Sequence, residues 1–193
     1  MFLNDAVQII TLSRLIMRTL IAQPLTPEAF APYGDILGGP LTSGVFINGG
    51  TSERIPLAGP DLTQGAGLAT LNLYRACANT LPFTALELER HCFGSQSFIP
   101  LKGVSFVVIV ARGDQSVSSV GPAGESIPGA APLESTIAAF WVDGSCGVTF
   151  KPGTWHHPLL AQQDGDFIVL ERKGPVIDCE IKSLQDPVRI VAG

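Results

Sequence analysis

Three histidines, His91, His156 and His157, are all that the chain contains, and they fall in two short segments. The first segment is Glu87-Leu88-Glu89-Arg90-His91. Side chains alternate across a strand, so an extended conformation puts Glu87, Glu89 and His91 on one face and Leu86, Leu88 and Arg90 on the other. Carboxylates beside an imidazole can move protons near neutral pH or ligate a divalent metal. The second segment is Lys151-Pro152-Gly153-Thr154-Trp155-His156-His157-Pro158. A Pro-Gly turn leads there into a strand with two adjacent histidines, of which alternation turns only one inward. A solvated outer strand face is the plainer explanation for such a group of ionisable residues. Convergence of every histidine on two segments favours a site.

Many short strands must carry these segments. The chain has 193 residues, 46% of them hydrophobic and only 15% charged, with 21 glycines and 15 prolines. That composition excludes a disordered chain and fits strands joined by tight turns. Strands are expected at Leu71–Tyr74, Leu86–His91, Phe98–Leu101, Val104–Val110, Ile137–Val142, Gly147–Phe150, Phe167–Leu170 and Val176–Ile181. One short helix is expected at Thr26–Phe30, capped by Thr26, opened by Pro27 and closed by Gly34. Residues 38 to 67 read as a long loop around Ile47-Asn48-Gly49-Gly50, and residues 113 to 132 as an exposed excursion. Many strands with almost no helix predict an all-β barrel or sandwich.

Net charge is −5 with no basic run, so nucleic acid is not expected as a partner. A membrane is not expected either, since no apolar stretch nears the roughly 20 residues of a span. Cys77, Cys92, Cys146 and Cys179 form no CxxC pair and are expected to be inert, reduced core thiols. Residues 1–16 read as an extension before a catalytic domain at 17–193. The extension lacks the early positive charge of a secretory signal, so a cytoplasmic protein is expected. No Walker-type or GxGxxG loop is present, and no nucleotide or organic cofactor is expected.

The spacing Glu89-x-His91, Gln96, Gly103, followed by Gly153-Thr154-Trp155-His156, resembles the paired motifs of the cupin barrel. The resemblance implies a double-stranded β-barrel, or jelly roll, with few short helices. Glu89 stands where such motifs carry a first histidine, and Gln96 where they carry an acid. Two histidines, one carboxylate and a neutral amide remain as metal ligands: His91, Glu89, Gln96 and His156. Such a set suits Ni, Mn or Zn, with metal-free acid–base catalysis by His91, Glu89 and His156 left open beside it.

Longer stretches are more specific. Leu86 to His91 with Gly94 to Gly103, and Trp155-His156-His157-Pro158-Leu159, resemble the ureidoglycolate lyase family. Phe46 to Gly50, Tyr74-Arg75-Ala76 and Asp178-Cys179-Glu180 resemble it less closely. The resemblance covers residues 17 to 184. It implies a homodimer that splits ureidoglycolate, a small-molecule substrate, into glyoxylate and urea in allantoin degradation. The cleavage is an elimination, with no attacking water. On this reading His91 and Glu89 form the acid–base pair and His156 completes the site. Gln96 meets the urea amide, and Arg75 or Lys102 clamps the carboxylate. Asn48 and His157 are further candidates for substrate binding. The chain departs from the family by carrying Phe150-Lys151 where Tyr-His is expected, by a longer 113–132 excursion and by the extension before Met17. Two rivals remain: another cupin enzyme of a small carboxylate (a metal-dependent oxygenase or an isomerase), and a non-catalytic binding barrel.

Overall fold

The β-branched run Phe106–Ala111 is buried along its whole length, which requires a strand covered on both faces. In the computed structural model, which describes residues 17–39 and 43–193, that run is the middle of a two-sheet barrel. The extension expected at residues 1–16 lies outside the described residues.

In chain order the first strands are β1 (Arg18–Ile21), β2 (Gln23–Pro24), β3 (Gly34–Gly38), β4 (Val45–Ile47) and β5 (Ser52–Arg54). There follow β6 (Leu68–Ala76), β7 (Phe83–Arg90), β8 (Gln96–Pro100), β9 (Phe106–Ala111), β10 (Ser118–Val120) and β11 (Ser126–Pro128). The last are β12 (Ala138–Val142), β13 (Cys146–Phe150), β14 (Trp155–His156), β15 (Leu160–Ala161), β16 (Gly165–Lys173) and β17 (Glu180–Val191). The larger sheet runs β1-β17-β7-β14-β9-β12-β2, with β15 also on β9, and the smaller runs β3-β13-β8-β16-β6. The architecture is the all-β, cupin-like barrel that the motifs imply.

Alternation along β9 sorts two cores. Phe106, Val108 and Val110 face the barrel interior with Phe98, Phe140, Val148, Phe150, Phe167 and Val169. Val107, Ile109 and Ala111 face the reverse side with Leu88, Trp155, Leu184 and Ile190. The single α-helix among the described residues, α1 (Pro27–Phe30), is capped by Thr26 as expected, but ends at Ala31, and Gly34 instead begins β3. There Gly34 pairs with Phe150, and a Cβ on it would lie 1.9 Å from the Thr149 carbonyl oxygen. Gly34→Ala must therefore push β3 off β13, and urea unfolding should show a loss of roughly 2 kcal/mol.

Four sequence expectations change. The 38–67 loop contains the β4–β5 hairpin. The 113–132 excursion contains the β10–β11 hairpin, which packs through Ser119 and Pro128 onto buried Arg90. The strand expected at Val176–Ile181 begins only at Glu180 and runs on to Val191, because Leu184, Val188 and Ile190 belong to the reverse-side core. The cysteines are free but not core residues: Cys77 and Cys179 are exposed, Cys92 and Cys146 half-buried.

Candidate active site

Two cross-strand rows meet inside the barrel. On the larger sheet Glu89 pairs with His156, which pairs with Val110, so all three face the interior. On the smaller sheet Glu171 pairs with Gln96, which pairs with Phe150. His91 follows β7 directly and stays on the face of Glu89. The interior therefore gathers Glu89, His91, Gln96, His156 and Glu171.

One ligating atom from each of Glu89, His91 and His156 lies within 4.8 Å of the others. Glu89 Oε1 is 3.6 Å from His156 Nε2 and 4.0 Å from His91 Nε2. His156 is almost wholly buried, stacked on Phe150 with ring centroids 4.3 Å apart. Its Nδ1–H donates to the Thr154 carbonyl at 2.9 Å, and burial holds its pKa down to about 3. The neutral ring therefore turns an Nε2 lone pair inward. That lone pair lies 3.1 Å from Gln96 Oε1, a second acceptor. The His91 Nδ1–H donates to the Asp178 carbonyl, and the Asp178 carboxylate accepts from the Cys92 and Phe93 amides at 2.7 and 2.8 Å. This fixes His91 with its buried Nε2 also facing inward, and that atom has no hydrogen-bond partner.

The site is poor in cations. Burial raises the Glu89 pKa first of all; the charges then acting on it are His91, Glu171 and Glu87, with no Lys or Arg among them. The Cys179 thiol reaches Glu89 Oε2 at 3.7 Å and is itself raised to about 11, by burial and then by Glu89. Four lone-pair atoms thus converge: Nε2 of His91, Nε2 of His156, Oε1 of Glu89 and Oε1 of Gln96. Unshielded, they repel one another. Around His156 Nε2, the 3.1 Å to Gln96 Oε1 and 3.6 Å to Glu89 Oε1 approach the roughly 3–3.5 Å between neighbouring ligands on one ion with bonds of about 2.1 Å. The donor set fits a divalent metal.

The other candidates lie elsewhere. Arg75 alternates with inward-facing Tyr74, is 80% exposed and pairs with Asp166 at 3.0 Å. Lys102 is exposed in the turn after β8, at the end of that strand remote from Gln96, with φ of 56°. Asn48 is exposed at the tip of the β4–β5 hairpin. His157 turns to the opposite face from His156 and packs edge-on to Phe83 at 5.0 Å. Lys151 donates to the Ala31 carbonyl at 2.6 Å and does not enter the site; its neighbour Phe150 does. None of these brings a positive charge to the triad.

Sequence reasoning missed Glu171, whose Oε2 accepts from the Gln96 amide at 2.9 Å. The signal was present: Glu171 continues the alternation of inward-facing Phe167 and Val169. Asp178 was visible only within a segment of resemblance, because its backbone carbonyl does part of the work.

A family model described as ureidoglycolate lyase matches residues 17–191. A protein named ureidoglycolate lyase from Pseudomonas fluorescens strain SBW25 is 35% identical over 177 residues, 91% of this chain and 97% of that protein. Another of that name, from Pseudomonas putida strain W619, is 37% identical over 166 residues, 85% of this chain and 90% of that protein.

Proposed function

Since this chain belongs to the ureidoglycolate lyase family, we propose that residues 17–193 form one catalytic domain that splits ureidoglycolate into glyoxylate and urea. The observation that carries the site assignment is the convergence of Glu89, His91 and His156, with Gln96 Oε1 beside His156 and the Nε2 of His91 unpartnered. His91, His156, Glu89 and Gln96 would hold a divalent ion of the Ni, Mn or Zn type. Such an ion would supply the positive charge that an anionic substrate needs and that no Arg or Lys in the site provides.

The chain's own groups then move one proton. Ureidoglycolate carries a hydroxyl, a carboxylate and a ureido nitrogen on one carbon. Glu89 Oε1 faces both imidazoles, whereas Oε2 accepts only a long hydrogen bond from the exposed Cys179 thiol, at 3.7 Å, and is the oxygen placed for proton transfer. Oε2 takes the hydroxyl proton, the C–O bond becomes C=O, and the C–N bond breaks. The same oxygen returns the proton to the departing nitrogen, giving neutral urea. Gln96 contributes its oxygen to the site and not a donor to the urea amide. Burial of His156 and Phe150 beneath the site keeps water from its floor.

We further propose a homodimer. The outer face of the smaller sheet shows Leu71 at 70% exposure beside Leu73 and Ile99, on and near the edge strand β6. Such a face is normally covered. Among the described residues no helix is long and apolar enough to cross a membrane.

The deciding experiment is glyoxylate release from ureidoglycolate, before and after a chelator and after restoring Ni, Mn or Zn. Turnover should fall at least tenfold on chelation and return with metal. Glyoxylate release that ignores the chelator removes the metal from the reading; no release under any condition removes the lyase assignment.

A further inference from the structure

A carboxamide is nearly isosteric in two orientations, so an inward-facing glutamine can present either its oxygen or its nitrogen. At Gln96 the choice decides whether the site offers a fourth acceptor or a donor. Gln96 Nε2 donates to Glu171 Oε2 at 2.9 Å, leaving Gln96 Oε1 3.1 Å from His156 Nε2. An ionised carboxylate accepts and cannot donate, so it holds the NH2 end of the amide and excludes the reverse orientation. We infer that Glu171 is the positioning residue that fixes the Gln96 carboxamide with its oxygen towards the histidines, making the site one of acceptors only. This rests on the cation reading above and deepens it.

Glu171 is itself held. Its other oxygen, Oε1, accepts from Asn72 Nδ2 at 2.7 Å and faces the Tyr74 hydroxyl at 3.4 Å. Asn72 and Tyr74 lie on β6, which pairs with β16 along its whole length. With Oε1 so engaged, Oε2 is left for Gln96. A chain of contacts thus runs from the edge strand through Glu171 and Gln96 to buried His156. With the amide reversed, an N–H would point at the His156 lone pair. That ordinary hydrogen bond would satisfy the histidine and block the approach of a cation. The amide assignment is therefore a specificity device, and its cause lies one residue beyond the ligands.

A double-mutant cycle on the full chain tests this, read by calorimetric titration of chelator-treated protein with Mn2+. Glu171→Gln should weaken Mn2+ binding at least tenfold in the wild-type background. In a Gln96→Ala background the same substitution should change it less than twofold, because the group it acts through is gone. An equal loss in both backgrounds would mean that Glu171 acts by charge alone, and would overturn the inference. A second readout is independent of metal: hydrogen exchange of the Gln96 side-chain amide, followed by NMR in chelated protein. That exchange should be slow in wild type and at least fivefold faster in Glu171→Gln. Wild type that binds no Mn2+ sinks the cation reading; equal exchange rates sink the positioning role, with or without metal. Should Glu171→Gln fail to fold, Asn72→Ala with Tyr74→Phe releases the same carboxylate and should move exchange in the same direction; unchanged exchange there also overturns the role.

Discussion

His91→Ala is expected to lower glyoxylate release from ureidoglycolate by about a thousandfold, with the fold retained. The size follows from what the side chain does. Its Nε2 is buried, lacks a partner and points at Glu89 and His156, so no folding contact uses it. Its removal deletes one of four converging donors and lets Glu89 turn away from His156. The stability cost is small by contrast. His91 lies beyond the end of β7, and truncation frees one acceptor, the Asp178 carbonyl, at about 1 kcal/mol. The Asp178 carboxylate still holds the loop through the Cys92 and Phe93 amides. Circular dichroism and thermal unfolding should stay close to wild type while Mn2+ affinity falls with turnover. Near-normal turnover in a folded variant would falsify the site assignment.

The sequence shows the fold and half of the site for one reason: both depend on alternation. Period-two patterning along 86–91, 104–110 and 167–170 gives strands, and the same period assigns Glu89 and His91 to one face and Arg90 to the other. It also separates His156 from His157 once Trp155 is taken as core. What alternation leaves open is which face meets which. Arg75 and Lys102 are the right residue types for a carboxylate clamp, yet Arg75 lies on the outer face of β6 and Lys102 in a turn remote from Gln96. Only the pairing of β6 with β16 decides that Asn72 and Tyr74, and not Arg75, reach inward to Glu171. The 113–132 hairpin is hidden for another reason. Its Gly, Ser and Pro content reads as exposed loop, and the Arg90 guanidinium that anchors it is 23 residues or more away in the chain. The departure at Phe150-Lys151, where the family is expected to carry Tyr-His, draws attention to Lys151. The packing moves it to Phe150, which stacks on His156.

The residue next to His91 should behave in the opposite way: Arg90→Ala is expected to cost about 3 kcal/mol of stability and little turnover per folded molecule. Arg90 is 1% exposed on the reverse face, with its guanidinium over the Trp155 ring at 5.1 Å. It donates to Glu180 Oε2 at 2.9 and 3.2 Å, to the Pro128 carbonyl at 2.9 Å and to Ser119 Oγ at 3.1 Å. Truncation leaves a cavity beside Trp155, a carboxylate without its cation and an unpaired carbonyl at once. Because the Glu180 side chain keeps 33% exposure, water screens part of its loss, and the cost lies at the low end for a broken buried pair. Arg90→Met should recover part of the stability by filling the cavity without restoring the bonds. The β10–β11 hairpin should loosen in both variants, since Ser119 and Pro128 are its anchors, and backbone hydrogen exchange at 118–128 should rise first. Turnover per folded molecule should stay within about threefold, because strand alternation keeps Glu89 and His91 on the other face. A collapse of activity in folded Arg90→Met would mean that the two faces of β7 are coupled and that stability and chemistry are not divided along this strand.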